Sequence, residues 1–100
     1  MVKHIVVWDL KVEAGGKTAI ENASAMKSQL EALVGIVPGL ITLEVNCHQV
    51  DGPAQTSIAL YSEFNSWGDL DVYQTHPDHE AIKPFVRSVT ADRKLVDYEV

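Results

Sequence analysis

The chain has 100 residues, 46% of them hydrophobic and 22% charged, with 6 Gly and 4 Pro. That composition is typical of a globular chain, and the length allows one hydrophobic core. We therefore expect one domain over residues 1–100. A formal net charge of -6 with eight scattered basic residues provides no clustered Lys/Arg surface for polyanions, so neither nucleic acid nor an anionic membrane is an expected partner. One cysteine, Cys47, allows no intrachain disulfide. The opening residues also carry no secretory signal pattern, so the expected location is cytoplasmic.

In Val2–Val12, the even positions Val2, Val6, Trp8, Leu10 and Val12 are apolar, and Ile5 and Val7 lie opposite them. This predicts a central strand buried on both faces. Gly15-Gly16 ends it in a turn. Although the pair stands between a strand and a helix, Lys11 occupies the position where a phosphate-binding loop needs glycine. From Lys17 to about Val34, the spacing of Ile20, Ala23, Met26, Leu30, Leu33 and Val34 predicts a helix. The glycosylation triplet Asn22-Ala23-Ser24 falls inside that helix and reads as chance.

Gly35, Pro38 and Gly39 separate the helix from a half-buried strand, Leu40–His48. In it Ile41, Leu43, Val45 and Cys47 alternate with polar neighbours, so Cys47 is expected as a buried thiol and His48 on the other face. Asp51-Gly52-Pro53 predicts a hairpin turn into a third strand, Thr56–Phe64, with Ile58, Leu60 and Phe64 on one face and Ala59 and Tyr61 on the other.

Ser66 with Asp69 three residues later marks a helix start, and Trp67, Leu70 and Tyr73 form its apolar face. Pro77 should break that helix near Thr75-His76 and open another, which carries His79, Ile82, Val86 and Val89 on one face and is shortened by Pro84. Asp92–Val100 reads as the closing strand. The order βαββαβ predicts an α+β, ferredoxin-like fold: an antiparallel four-stranded sheet with two helical segments on one face. Ile5, Val7, Ala59 and Tyr61 would be left on the open face, which a homodimer stacking sheet on sheet would cover.

The polar constellation Tyr73 to His79 holds a phenol and two imidazoles. Two histidines three residues apart lack further ligands, so no metal is expected. His4 shares the helix-facing side of the first strand with Val6 and Trp8, where it can meet Tyr73 and His79. Each of the three also has a structural reading, with His76 as a helix cap, Tyr73 as core and His79 on a backbone carbonyl.

The opening Val2-Lys3-His4-Ile5-Val6-Val7, the Val37-Pro38-Gly39-Leu40 turn, Ser62-Glu63-Phe64, the Leu70–His79 run ending in His76-Pro77-Asp78-His79, and Asp97-Tyr98-Glu99 together resemble the Dabb family of stress-responsive dimeric α/β-barrel proteins. The resemblance covers essentially the whole chain and implies a barrel-forming homodimer. Within the family, His4, Tyr73 and His79 match the residues of a plant polyketide cyclase, olivetolic acid cyclase. The match implies cofactor-free acid–base chemistry on an apolar carbonyl ligand, with His79 as general base, Tyr73 as hydrogen-bond donor to the developing enolate and His4 orienting the substrate. Trp8, Leu30, Leu60, Trp67 and Ile82, with His76, are the expected pocket lining. Two rival readings are a non-enzymatic stress-response or ligand-binding dimer and a cofactor-independent monooxygenase of the related dimeric-barrel type.

Overall fold

The computed structural model describes residues 1–49 and 55–100, so the turn expected at Asp51-Gly52-Pro53 lies outside the described residues. The four main strands are β1 (Val2–Leu10), β4 (Leu40–Gln49), β5 (Thr56–Phe64) and β6 (Thr90–Glu99), and all neighbours in the sheet order β4-β5-β1-β6 run antiparallel. The ferredoxin-like α+β fold read from the sequence is present.

Two-residue strands β2 (Glu13–Ala14) and β3 (Lys17–Thr18) flank Gly15 and Gly16. Both glycines have positive φ, 62° and 75°, as a tight primed hairpin turn demands. Helix α1 (Ala19–Glu31) therefore starts two residues later than the periodicity suggested. Thr18 caps it reciprocally with Glu21. Ala19, Ala23, Met26 and Leu30 face the sheet, whereas Ile20 lies one step round the helix and Val34 lies past its end, and both are exposed.

At the C-terminal half of α1, Lys27 donates to the Val45 carbonyl at 2.7 Å and Glu31 accepts from the Val45 amide at 2.9 Å. The ion pair thus covers backbone groups of edge strand β4 that have no strand partner. The alternation expected along β4 is interrupted, because Leu40 pairs with Phe64 while Thr42 already pairs with Glu63. Ile41 is the extra residue of a bulge and turns outward, so Leu40 and Leu43 both face the helices. Cys47, expected buried, is exposed two residues from the end of this edge strand.

The second helical region consists of three pieces: α2 (Trp67–Thr75), α3 (Pro77–Glu80) and α4 (Lys83–Val89). Ser66 caps α2 through the Asp69 amide. The α2–α3 break falls at His76 and Pro77 as predicted, and Pro84 occupies the first turn of α4. Leu70 and Tyr73 are buried, but Trp67 is exposed and donates to Glu99 at 3.2 Å. The helix-facing layer of Val2, Val6, Leu60 and Phe64 meets Met26, Leu30 and Tyr73 in one core. No helix among the described residues is long and apolar enough to cross a membrane.

Candidate functional site

Strand alternation sets His4 on the helix side of β1 between Val2 and Val6, where it is 3% exposed. The β1–β6 register pairs it with Asp97, and its Nδ1 lies 2.5 Å from the Asp97 carboxylate. A carboxylate only accepts, so Nδ1 carries the proton and Nε2 keeps its lone pair. Burial, opposed by Asp97 and assisted by the charge of Arg93, holds the imidazole below its ordinary pKa of 6.5.

The break at Pro77 turns His79 back over the end of α2. Its ring stacks on Tyr73 with centroids 4.2 Å apart, and its Nδ1 faces the Gln74 carbonyl at 3.4 Å. This again leaves Nε2 as the free lone pair. Burial first, and then nearby Lys83, lower its pKa, so both imidazoles are neutral bases at neutral pH. Tyr73 sits between them: its ring centroid is 5.9 Å from that of His4 and 5.1 Å from that of Phe64. Burial pushes its phenol pKa well above the usual value, so it stays a donor throughout the physiological range. Its hydroxyl is buried without a hydrogen-bond partner among the described residues.

These three side chains line a cavity of about 580 Å³ together with Trp8, Leu30, Leu60 and Ile82, a size suited to a small organic ligand. Seven of the nine residues expected from the sequence are thereby brought together. The other two are elsewhere. His76 accepts the Asp78 amide at 3.1 Å as the N-cap of α3, and Trp67 lies against Glu99 on the outside of α2. Sequence reasoning missed Asp97, which the pairing of His4 across β1 and β6 would have revealed. It also missed Gln74, Lys83, Arg87 and Arg93 on the cavity wall. Among the described residues no group of three His, Cys, Asp or Glu is placed to hold a metal ion.

The family model of the stress responsive A/B barrel domain, Dabb, matches residues 2–100. The chain belongs to that family. Among solved structures, this Dabb chain is similar to a dimeric protein of unknown function with a ferredoxin-like fold from Bacteroides fragilis. The two are 32% identical over 99% of this chain and 95% of that one, with a TM-score of 0.84. A Dabb family protein from Mesorhizobium loti shares the fold at 19% identity, covering 99% and 95% of the two chains, with a TM-score of 0.74. SnoaB, a cofactor-independent oxygenase from Streptomyces nogalater, shares it at 8% identity, covering 99% and 91%, with a TM-score of 0.72. No curated protein matches the sequence significantly.

Proposed function

We propose that this Dabb protein is a homodimer whose subunits each bind a small apolar carbonyl compound and move a proton on it without a cofactor, as a polyketide-cyclase-like acid–base catalyst. The observation that carries this reading is the Tyr73 hydroxyl, buried with no hydrogen-bond partner among the described residues, on a side chain that lines a cavity beside the stacked His79. An orphaned buried donor costs about 1–3 kcal/mol, a cost that a ligand oxygen in the cavity removes.

In this reading His79 Nε2 takes the proton from a carbon flanked by carbonyls, and the electron pair left behind moves onto the carbonyl oxygen. Tyr73 donates to that oxygen as the charge develops. Asp97 holds His4 in the tautomer that presents Nε2 to the cavity, where it orients an enol or hydroxyl hydrogen of the substrate. The enolate carbon then closes on a second carbonyl of the same molecule, forming one C–C bond, and the new alkoxide takes back the proton from His79. The dimer reading rests on the apolar outer face of the sheet and on the dimeric state of the Bacteroides fragilis protein.

The test is deuterium uptake at carbon 2 of methyl 3-oxooctanoate in D2O, followed by NMR beside calorimetric binding of the same compound. His79→Ala should reduce enzyme-dependent uptake at least about 100-fold, the usual scale of a lost general base, with affinity changed less than about threefold. Tyr73→Phe should reduce uptake about tenfold or more. Binding without uptake in the parent protein would replace catalysis with the ligand-binding reading, and oxygen consumption with the same compound would replace it with the monooxygenase reading.

A further inference from the structure

The cavity wall divides by chemistry. Val6, Trp8, Leu30 and Leu60 are buried along its sheet and α1 side, whereas Arg87 of α4 and Arg93 of β6 are exposed at its rim. Lys83 stands between, donating to the Gln74 carbonyl at 2.9 Å and paired with Glu80. Neither Arg87 nor Arg93 has a carboxylate within ion-pair distance among the described residues. Among the described residues Asp92 is the one acidic residue lining the cavity, and it accepts the Arg93 backbone amide. Three of the eight basic residues of a chain with net charge -6 thus line one cavity.

We infer that the cavity takes an amphiphilic anion, its chain against the apolar wall and its carboxylate or phosphate head between Arg87 and Arg93. The inference rests on the cavity being the ligand site proposed above and specifies the substrate class. Two guanidiniums on separate elements offer the forked donors that a planar carboxylate or a phosphate accepts in pairs. Positive charge on the wall reaches the reacting groups as well: Arg93 acts electrostatically on His4, and Lys83 on His79. An anionic head at the rim would leave the remainder of the ligand lying along the apolar wall, where a carbonyl can meet Tyr73. With Lys83 paired to Glu80, Asp92 is the acidic residue among the described cavity lining left to balance Arg87 and Arg93.

The test is calorimetric titration of the full chain, in low salt at neutral pH, with octanoate, octyl phosphate and the uncharged octanamide. The expected result is that one or both anions bind at least about tenfold tighter than octanamide, the scale of charge-assisted hydrogen bonds at a half-exposed site. The preference should shrink as salt rises and disappear in the Arg87→Gln/Arg93→Gln double variant. Both side chains are exposed and have no ion-pair partner among the described residues, so the variant should keep its thermal midpoint, and Arg87→Lys/Arg93→Lys should retain most of the preference. The octanoate and octyl phosphate arms decide which head group is preferred. Equal affinity for octanamide and both anions would overturn the anion subsite while leaving the cavity as a ligand site. A preference surviving in the double glutamine variant would overturn its assignment to these arginines. Failure of all three compounds to bind at millimolar concentration would remove the ligand site and the inference together.

Discussion

Tyr73 holds a polar atom where the packing rewards none. Its ring is 1% exposed among Phe64, His4 and His79, yet its hydroxyl finds no partner among the described residues. Deleting that oxygen keeps the ring and removes an unmet donor, so Tyr73→Phe should raise stability by about 1 kcal/mol, read as a higher urea midpoint at unchanged slope. A clear loss of stability would show that the hydroxyl is satisfied in solution and would remove the main support for its catalytic role. The two imidazoles make a second residue-scale prediction. Folding lowers the pKa of both His4 and His79 below 6.5, so near that pH the unfolded chain binds more protons than the folded one. The stability they confer is full above 6.5 and is lost as pH falls through their depressed folded values. The carboxylates of Glu21, Glu31 and Glu80 are held below 4.5 by their partners and act only in a lower window. Urea midpoints should therefore drop between about pH 7.5 and pH 5.5, and His79→Leu should flatten part of that drop. An unchanged slope in the variant would place the titration elsewhere.

The elements that deliver these residues depend on local devices that differ in how plainly the sequence displays them. Pro77 announces its helix break through its own ring, and Ser66 announces a cap through residue type and spacing. Thr18 with Glu21 is an equally legible capping box that periodicity overrode, because Lys17 looked like the first helical residue. The bulge at Ile41 was not legible: alternation assumes one residue per pair, and the slip appears only against β5. Asp97 and the cavity-lining cations were hidden for the same reason, since their meaning comes from strand register and from the convergence of α3, α4 and β6. His76 carries both a sequence expectation of ligand contact and a structural role as the N-cap of α3. His76→Ala should cost about 1 kcal/mol, and His76→Asn, which restores a capping acceptor, should recover most of it without altering ligand affinity. A loss of affinity in both variants with no loss of stability would return His76 to the binding site. Gly39 is a stricter constraint. Its φ is +80°, and a Cβ there would overlap the Asp69 side chain at 2.3–2.6 Å. Gly39→Ala should therefore destabilise by about 2 kcal/mol or more, visible as a lowered thermal midpoint.

Across the whole molecule, the decisive feature is that helices cover one side of the sheet only. On the other side Ile5, Val7, Ala59, Tyr61, Val96 and Tyr98 stand in adjacent register positions, with Val7 at 40% and Val96 at 52% exposed. The alternation of β1 and β5 predicted this face from sequence, since a two-residue period fixes which side chains share a side. Around the apolar centre lie Lys3, Glu63, Asp9 and Lys94, a polar rim about an oily middle. If a second copy covers this face, a charge at its centre is removed from water by association and exposed without penalty in the monomer. Val7 pairs with Ala59 on one side and Lys94 on the other, so Val7→Lys adds a cation beside an existing one on the apolar face. Burying such a charge against a second copy costs about 3 kcal/mol or more, which is a dimer Kd weaker by at least about 100-fold. Sedimentation at micromolar concentration should accordingly show a dimer for the parent and a monomer for the variant. The folded variant monomer should keep the near- and far-ultraviolet circular dichroism of the parent, because Val7 contributes little to the subunit's own core. A parent protein that sediments as a monomer, or a variant that dimerises as tightly as the parent, would show that the sheet face is not where two copies meet.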